Sequence, residues 1–340
     1  MAEAMCDYAA KVLPLLRQAE GEIQIFPHAK VDGDCLGTAC ALAMTLRKLG
    51  CTSKVILECE IPQRLAFMGI PEDVLTIVTS ENANEVLASQ AVAFAVDCSE
   101  GSRMGAAEPV FEGASCKVIV DHHVSAEVKS DYAYIDGTSI SCAELMAALI
   151  FEWENMLHEK LMDQFIADCL MVGIQSDSGK FSYENTKPNT FRIAASLMER
   201  GANVTDNAYH LFDETCEGKV RLHGLALSGM QLFADGRIAI TKITKAMIDE
   251  TSAPEGAADG IVNTLRDIDT VMAAFVVREN GQGELRVNCR TKVGFDAADF
   301  AKKMGGGGHH RAAGFTGRNI DIDTFADQIV KEAKAYLEQA

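Results

Sequence analysis

The sequence predicts an α/β fold: an N-terminal doubly wound, mainly parallel sheet, a helical linker, and a smaller C-terminal α/β domain. Three observations predict it. Between Ile23 and Gly201, β-rich apolar runs alternate with helical stretches, the pattern of strands joined by parallel crossovers. Beyond Ser228 the pattern changes to closely spaced strands with hairpin turns. At 340 residues the chain is also long for a single core.

The elements follow in order. Ile23–Phe26 reads as a strand, and Leu36–Leu49 as a helix closed by Gly50. Val55–Leu57 is a strand and Glu81–Ser89 a helix, followed by strands at Val92–Val96 and Val118–Val120. Ser141–Leu157 and Met162–Ile174 are long helices, and Asn189–Glu199 is a shorter one stopped by Gly201. Asp206–Ser228 reads as one connecting helix interrupted at Gly218, which divides the chain into residues 1–205, a linker at 206–228, and 229–340. In the last part Gly236-Arg237 marks a turn. Val271–Arg278 and Glu284–Arg290 flank the hairpin signal Glu279-Asn280-Gly281-Gln282-Gly283, and Ile322–Leu337 closes the chain as a helix.

Composition narrows the function. With 31 Lys and Arg against 49 Asp and Glu, the formal charge is −18, which argues against long nucleic acids gripped by their phosphates. Small anionic substrates stay open, because a metal or a local basic cluster overcomes a distant acidic surface. The 11 Cys are scattered without a CxxC pair, as expected of buried thiols in a reducing cytoplasm. The N-terminus lacks a signal-peptide pattern and no apolar run reaches membrane-span length, so a cytoplasmic protein without membrane contact is expected.

Three apolar runs end in metal-type ligands. The first leads into His28, Asp32 and Asp34, the second into Asp97, and the third into Asp121-His122-His123. Ligands on the rim of an open sheet sit where such folds keep their reactive sites. A fourth segment, Gly173 to Gly179, stops an apolar helix at Asp177 in a small-residue loop, and Gly37 permits close approach to a neighbouring strand. Asp97 alone would read as a turn residue, and His28 alone as a packed one. Together the set is too rich in oxygen for structural zinc, and it lacks the Glu of an EF-hand loop. It suits two divalent ions, with Mn²⁺ favoured over Mg²⁺ because imidazole suits the former, and with Mg²⁺ or Co²⁺ as substitutes.

These motifs, in this order, resemble the DHH phosphoesterase superfamily, in its subgroup with a C-terminal DHH-associated domain ending in Gly-Gly-Gly-Gly-His. The resemblance runs from His28 to about Phe315. It continues through Val287 to Lys292, Gly305 to His309 and Ala312-Ala313-Gly314. Val31 stands where Pro is frequent and Thr38 where Ser is frequent; neither is a ligand. The resemblance implies one metal at His28, Asp32 and Asp97, and a second at Asp34, His122 and Asp177, with Asp97 bridging. Asp121 would orient a His from behind the ligands, and His123 would face the scissile phosphate. Arg290, Gly306, Gly307, Gly308 and His309 would hold the other end of the nucleotide.

What this implies for activity is a nano-RNase/pAp phosphatase-like enzyme. It would cleave short oligoribonucleotides to 5′-mononucleotides by a two-metal activated water, and dephosphorylate small nucleotides such as 3′-phosphoadenosine 5′-phosphate. A cyclic-dinucleotide (c-di-AMP) or pApA phosphodiesterase of the same subgroup is the nearest alternative, and an inactive nucleotide-binding regulator a more distant one. Relatives suggest a homodimer, although no interface is legible in the sequence. Two further features have two readings each. Arg103 serves either a phosphate or, preferentially, a structural salt bridge; Phe181 and Tyr183 serve either base stacking or a half-buried strand.

Overall fold

A computed structural model describes residues 2–123, 129–280 and 283–339. The chain divides into two units, Met1–Glu214 and Thr215–Ala340.

The first unit contains α1 (Ala2–Arg17), β1 (Glu22–Phe26), α2 (Gly33–Lys48), β2 (Thr52–Leu57), β3 (Leu75–Ile77), α3 (Ala83–Ala88) and β4 (Gln90–Val96). It continues with α4 (Glu108–Glu112), β5 (Lys117–Asp121), β6 (Tyr132–Ile135), α5 (Cys142–Leu157), α6 (Gln164–Ser178), α7 (Pro188–Glu199) and α8 (Val204–Ala208). Its sheet has the order β3-β2-β1-β4-β5-β6, with every pairing parallel. The order reverses between β1 and β4. That is the topological switch point, where the carboxyl ends of neighbouring strands open a crevice.

Strand alternation gives the sheet two apolar faces. Ile23, Ile25, Val55, Phe94 and Val96 join the larger core with α1, α2, α5 and α6, around the fully buried Trp153. Phe26, Ile56, Ala93, Ala95 and Ile119 form the smaller core with Val86 of α3 and Phe111 of α4.

The second unit contains α9 (Glu217–Ser228), β7 (Gln231–Phe233), β8 (Ile238–Ile243), α10 (Lys245–Thr251), α11 (Ile261–Asp267) and β9 (Ala273–Glu279). Then come β10 (Glu284–Thr291), α12 (Ala297–Lys303), β11 (Gly307–His309), β12 (Ala312–Arg318) and α13 (Ile322–Gln339). The sheet order is β11-β12-β10-β9-β8-β7, antiparallel except for β8 with β9. One face packs Phe275, Val287 and Phe315 under Phe300 of α12 and Ile329 of α13. The other packs Ala274 and Val276 under Leu222 of α9 and Leu265 of α11.

Several expectations are corrected. The connecting segment is not one helix: α8 ends in a π-helical turn over Tyr209–Asp213, Glu214 is extended, and α9 starts afresh at Glu217. Asp213 and Glu214 fall where a helix C-terminus repels acids, whereas Glu217 falls where an N-terminus attracts them. Gly218 interrupts nothing. It lies in the first turn of α9, where an added Cβ would sit 2.8 Å from the carbonyl oxygen of Thr251. No strand follows Asp177: Gly179, Lys180 and Phe181 all adopt positive φ, and Phe181 stacks on Phe191 at 5.4 Å. Residues 281 and 282 of the expected hairpin turn lie outside the described residues. Among the described residues, no helix is long and apolar enough to cross a membrane.

Candidate metal centre

Every candidate ligand of the first unit lies at the carboxyl ends of strands or on a helix that abuts them. β1 ends at Phe26, and the following loop carries His28 to Asp32, the N-cap of α2. The Asp32 carboxylate accepts from the N–H groups of Asp34 and Cys35, both at 3.1 Å, and so fixes the start of the helix. Asp34 follows in the first turn and is fully buried. One of its oxygens accepts from the Cys142 N–H at 2.7 Å and the other from the Ala143 N–H at 2.9 Å. The N-terminus of α5 thus holds the carboxylate with two oriented donors and the positive end of its dipole.

α6 completes the wall. It runs through Asp177 to Ser178, so Asp177 sits on the last helical turn and not in a loop. Two glycines allow α2 and α6 to meet: a Cβ on Gly37 would lie 2.2 Å from the Cys169 carbonyl oxygen, and one on Gly173 would lie 2.7 Å from Asp34 Oδ1. Gly37 therefore admits a helix, where the sequence suggested a strand.

Asp97 occupies the centre. It leaves β4 with φ of 55°, a conformation that Asp tolerates better than most residues, and its side chain is buried. Its Oδ2 lies 3.3 Å from His28 Nε2, which is itself 3.5 Å from Asp32 Oδ2. Its Oδ1 lies 3.3 Å from His122 Nε2 and 3.4 Å from His123 Nδ1. His122 Nε2 also faces Asp177 at 3.4 Å and Asp34 at 3.9 Å. The ligand-type atoms fall into overlapping groups: His28, Asp32, Cys35 and Asp97; Asp34, His122 and Asp177; and Asp97, Asp121, His122 and His123. In each group the candidate atoms lie within 4.8 Å of one another, the spacing that donors around one cation adopt.

Charge in the cluster is unbalanced. Burial works against a charged His28, but hydrogen bonds to Asp32 and Asp97 overcome it and raise its pKa far above the ordinary value. Asp32, buried yet bonded to that imidazole, falls to about 2. His122 rises to about 9, since Asp97, Asp34 and Asp177 outweigh its burial. Asp177 is pushed up to about 7 by burial and by Asp97 and Asp32, and Asp34 is raised by burial and by Asp97 and Asp177. Without a cation, protons do the work of positive charge. Asp97 Oδ1 and His122 Nε2 are nevertheless buried without a hydrogen-bond partner, although they are only 3.3 Å apart. Two inward-facing orphans among converging carboxylates are what a divalent cation would satisfy, so the residues fit one.

Asp121 and His123 stand beside this set. The buried Asp121 carboxylate accepts from the His123 backbone N–H at 3.0 Å and meets His123 Nδ1 at 2.8 Å. It therefore orients His123 and not His122. Cys35 was not singled out in the sequence; burial pushes its thiol up to about 12, so it stays protonated and serves the cap of α2. Arg103 carries no salt bridge among the described residues, and its carbonyl accepts from the Ala29 N–H at 2.7 Å, holding the His28 loop.

A family model for the DHH N-terminal domain matches residues 22–174, and one for the DHHA1 domain matches residues 235–339. The chain belongs to the DHH family. The bifunctional oligoribonuclease and PAP phosphatase NrnA of Thermus thermophilus is 28% identical over 333 residues, which span 97% of this chain and 94% of that protein. The protein of the same name from Bacillus subtilis is 25% identical over 84% of this chain and 86% of its own length. The crystal structure of an exopolyphosphatase-related protein from Bacteroides fragilis shares the fold, with a TM-score of 0.81 at 22% identity, covering 98% and 96% of the two chains.

The DHHA1 match contains the remaining site residues, all in the second unit. Arg290 lies on β10, half-buried, and donates to the carbonyl of Cys289 at 2.9 Å. Gly306 and Gly308 have packing reasons to be glycine: an added Cβ would lie 2.2 Å from the Gly314 carbonyl oxygen in the first case and 2.5 Å from the Ala312 carbonyl oxygen in the second. Gly307 faces open space, and with the exposed His309 it forms the edge strand β11. The glycine run is thus built partly for strand packing, and its open positions are Gly305, Gly307 and the exposed His309 that follows.

Proposed function

We propose that this DHH-family chain is a metal-dependent phosphodiesterase of the oligoribonuclease and PAP phosphatase type. It hydrolyses short oligoribonucleotides to 5′-mononucleotides and removes the 3′-phosphate of 3′-phosphoadenosine 5′-phosphate. The observation that carries the reading is the Asp97 carboxylate, which turns one oxygen to His28 and the other to His122. Relatives that match nearly end to end and bear that activity in their names support the same reading.

His28, Asp32 and Asp97 would hold one divalent cation, and Asp34, His122, Asp177 and Asp97 a second, with Mn²⁺ suited to this mixed set. Bound ions of this kind supply positive charge to phosphoryl oxygens and a water of lowered pKa. The protein's own groups do the rest. Asp97 fixes the separation of the two ligand sets, and the α5 N–H groups keep Asp34 turned toward the cluster. Asp121 engages Nδ1 of the half-exposed His123, leaving Nε2 to donate to the scissile phosphate. In the second unit Arg290, Gly307 and His309 bind the distal part of the nucleotide.

The test is a comparison of initial rates with Mn²⁺ on a pentanucleotide, pApA, 3′-phosphoadenosine 5′-phosphate and c-di-AMP. Mononucleotide release from the short linear substrates and loss of turnover in Asp97→Asn are expected. A preference for c-di-AMP, or undiminished activity in Asp97→Asn, would overturn the assignment.

A further inference from the structure

In the second unit, Arg278 of β9 and Arg286 of β10 stand directly opposite each other in the antiparallel ladder. Pleat geometry puts such Cβ atoms about 5 Å apart on one face of the sheet, and like charges so placed repel. Neither guanidinium has a salt bridge or hydrogen bond among the described residues. Of the nearby acids, Glu284 pairs with Arg318 at 2.8 Å and the Glu279 carboxylate takes the Lys245 backbone N–H at 2.5 Å; neither of these, nor Glu255, forms an ion pair with the two arginines among the described residues. Lys245 Nζ in turn pairs with Asp249 at 3.1 Å.

Both arginines line a cavity of about 390 Å³, together with Lys245, Asn280, Glu255, Glu279 and Gly256. Arg286 also lines a second cavity of about 540 Å³ that reaches Asn288 and the glycines Gly305 and Gly306. Two like-charged guanidiniums with no ion-pair partner among the described residues thus line a polar cavity in which Arg278, Arg286 and Lys245 outnumber Glu255 and Glu279, and the planar guanidinium fork matches phosphate oxygens in pairs. Arg290 lies on the same face of β10, four residues on and about 13 Å away by strand rise, so it belongs to a different contact.

We propose that Arg278 and Arg286 form a binding site for a phosphate group, separate from the metal centre and from Arg290, Gly307 and His309. The phosphate is either free or the terminal group of a mononucleotide. The site goes beyond the hydrolytic reading and stands whether or not that reading holds.

Arginine Nε–Hε resonances of the full chain in Mg²⁺ buffer, titrated with inorganic phosphate, 5′-AMP or adenosine, test it. The Arg278 and Arg286 resonances, assigned through Arg278→Gln and Arg286→Ala, should shift with phosphate and with AMP but not with adenosine. Either substitution should weaken phosphate binding about tenfold or more as read at the remaining arginine, equivalent to about 1.4 kcal/mol. Shifts with phosphate alone assign the site to the free anion, and shifts with both assign it to a nucleotide phosphate as well. Arg286 is exposed, so its substitution leaves the fold to be checked by circular dichroism alone. Unmoved arginine resonances with both anions, or equal shifts with adenosine, would overturn the proposal.

Discussion

Manganese binding to the metal-free chain should expel protons, and the cluster fixes how many. His28 and His122 are held as imidazoliums by the surrounding carboxylates, and Asp177 is pushed up to about 7. A divalent ion needs neutral imidazoles and ionised carboxylates. At about pH 7 each imidazolium has one proton to lose and Asp177 about half of one, so filling both sites should release roughly two and a half protons per chain. The raised Asp34 adds to that number. Each released proton makes binding about 1.36 kcal/mol more favourable per pH unit. With two imidazoliums to discharge, overall affinity should climb about 100-fold for each unit above neutrality until His122 titrates. Calorimetry in two buffers of different ionisation enthalpy counts the protons directly. Release of less than about one proton, or affinity that stays flat across this range, would refute the reasoning.

Other outcomes follow from the same structure. In chelator, the folded pKa values of His122 and Asp177 both exceed their ordinary values, so the native state binds more protons than the unfolded one. Metal-free stability should therefore fall as pH rises through about 7 and then about 9, and thermal melts with added Mn²⁺ should abolish the fall. Gly37→Ala places a methyl against an immovable backbone carbonyl on α6, and should cost about 1–3 kcal/mol by urea denaturation. Asp121→Asn keeps the shape but removes the carboxylate beside His123 Nδ1. Turnover should drop about 10- to 100-fold with little change in metal affinity, measured by steady-state kinetics over a Mn²⁺ series.

The parts of the fold legible in sequence were those where local pattern and tertiary burial agree. Strands such as Val92–Val96 are buried on both faces and read as continuous apolar runs, each ending in the residue that points into the crevice. The short edge elements were not legible. β3 and β6 are partly exposed and only three and four residues long, whereas the short helix α3 falls within the expected Glu81–Ser89. α1 was also missed, although Met5, Tyr8, Ala9, Val12, Leu13 and Leu16 recur at helical spacing and are buried.

At the site, the sequence named the converging side chains but not what fixes them. That Asp34 is gripped by the first N–H groups of α5, more than 100 residues away, depends on tertiary packing that no local pattern encodes. The small residues around Asp177 suggest a loop, but in the fold Gly173, one turn earlier, lets α6 approach α2 and the helix continues through Ser178. Nor does spacing reveal that Asp121 serves His123, since both imidazoles follow the same carboxylate.

Crystals grown with Mn²⁺ and measured at its absorption edge test the central claim most directly. Two anomalous peaks should flank Asp97, with Oδ2 on the ion beside His28 and Oδ1 on the ion beside His122. A single peak, or two peaks with Asp97 bonded to neither, would contradict the account.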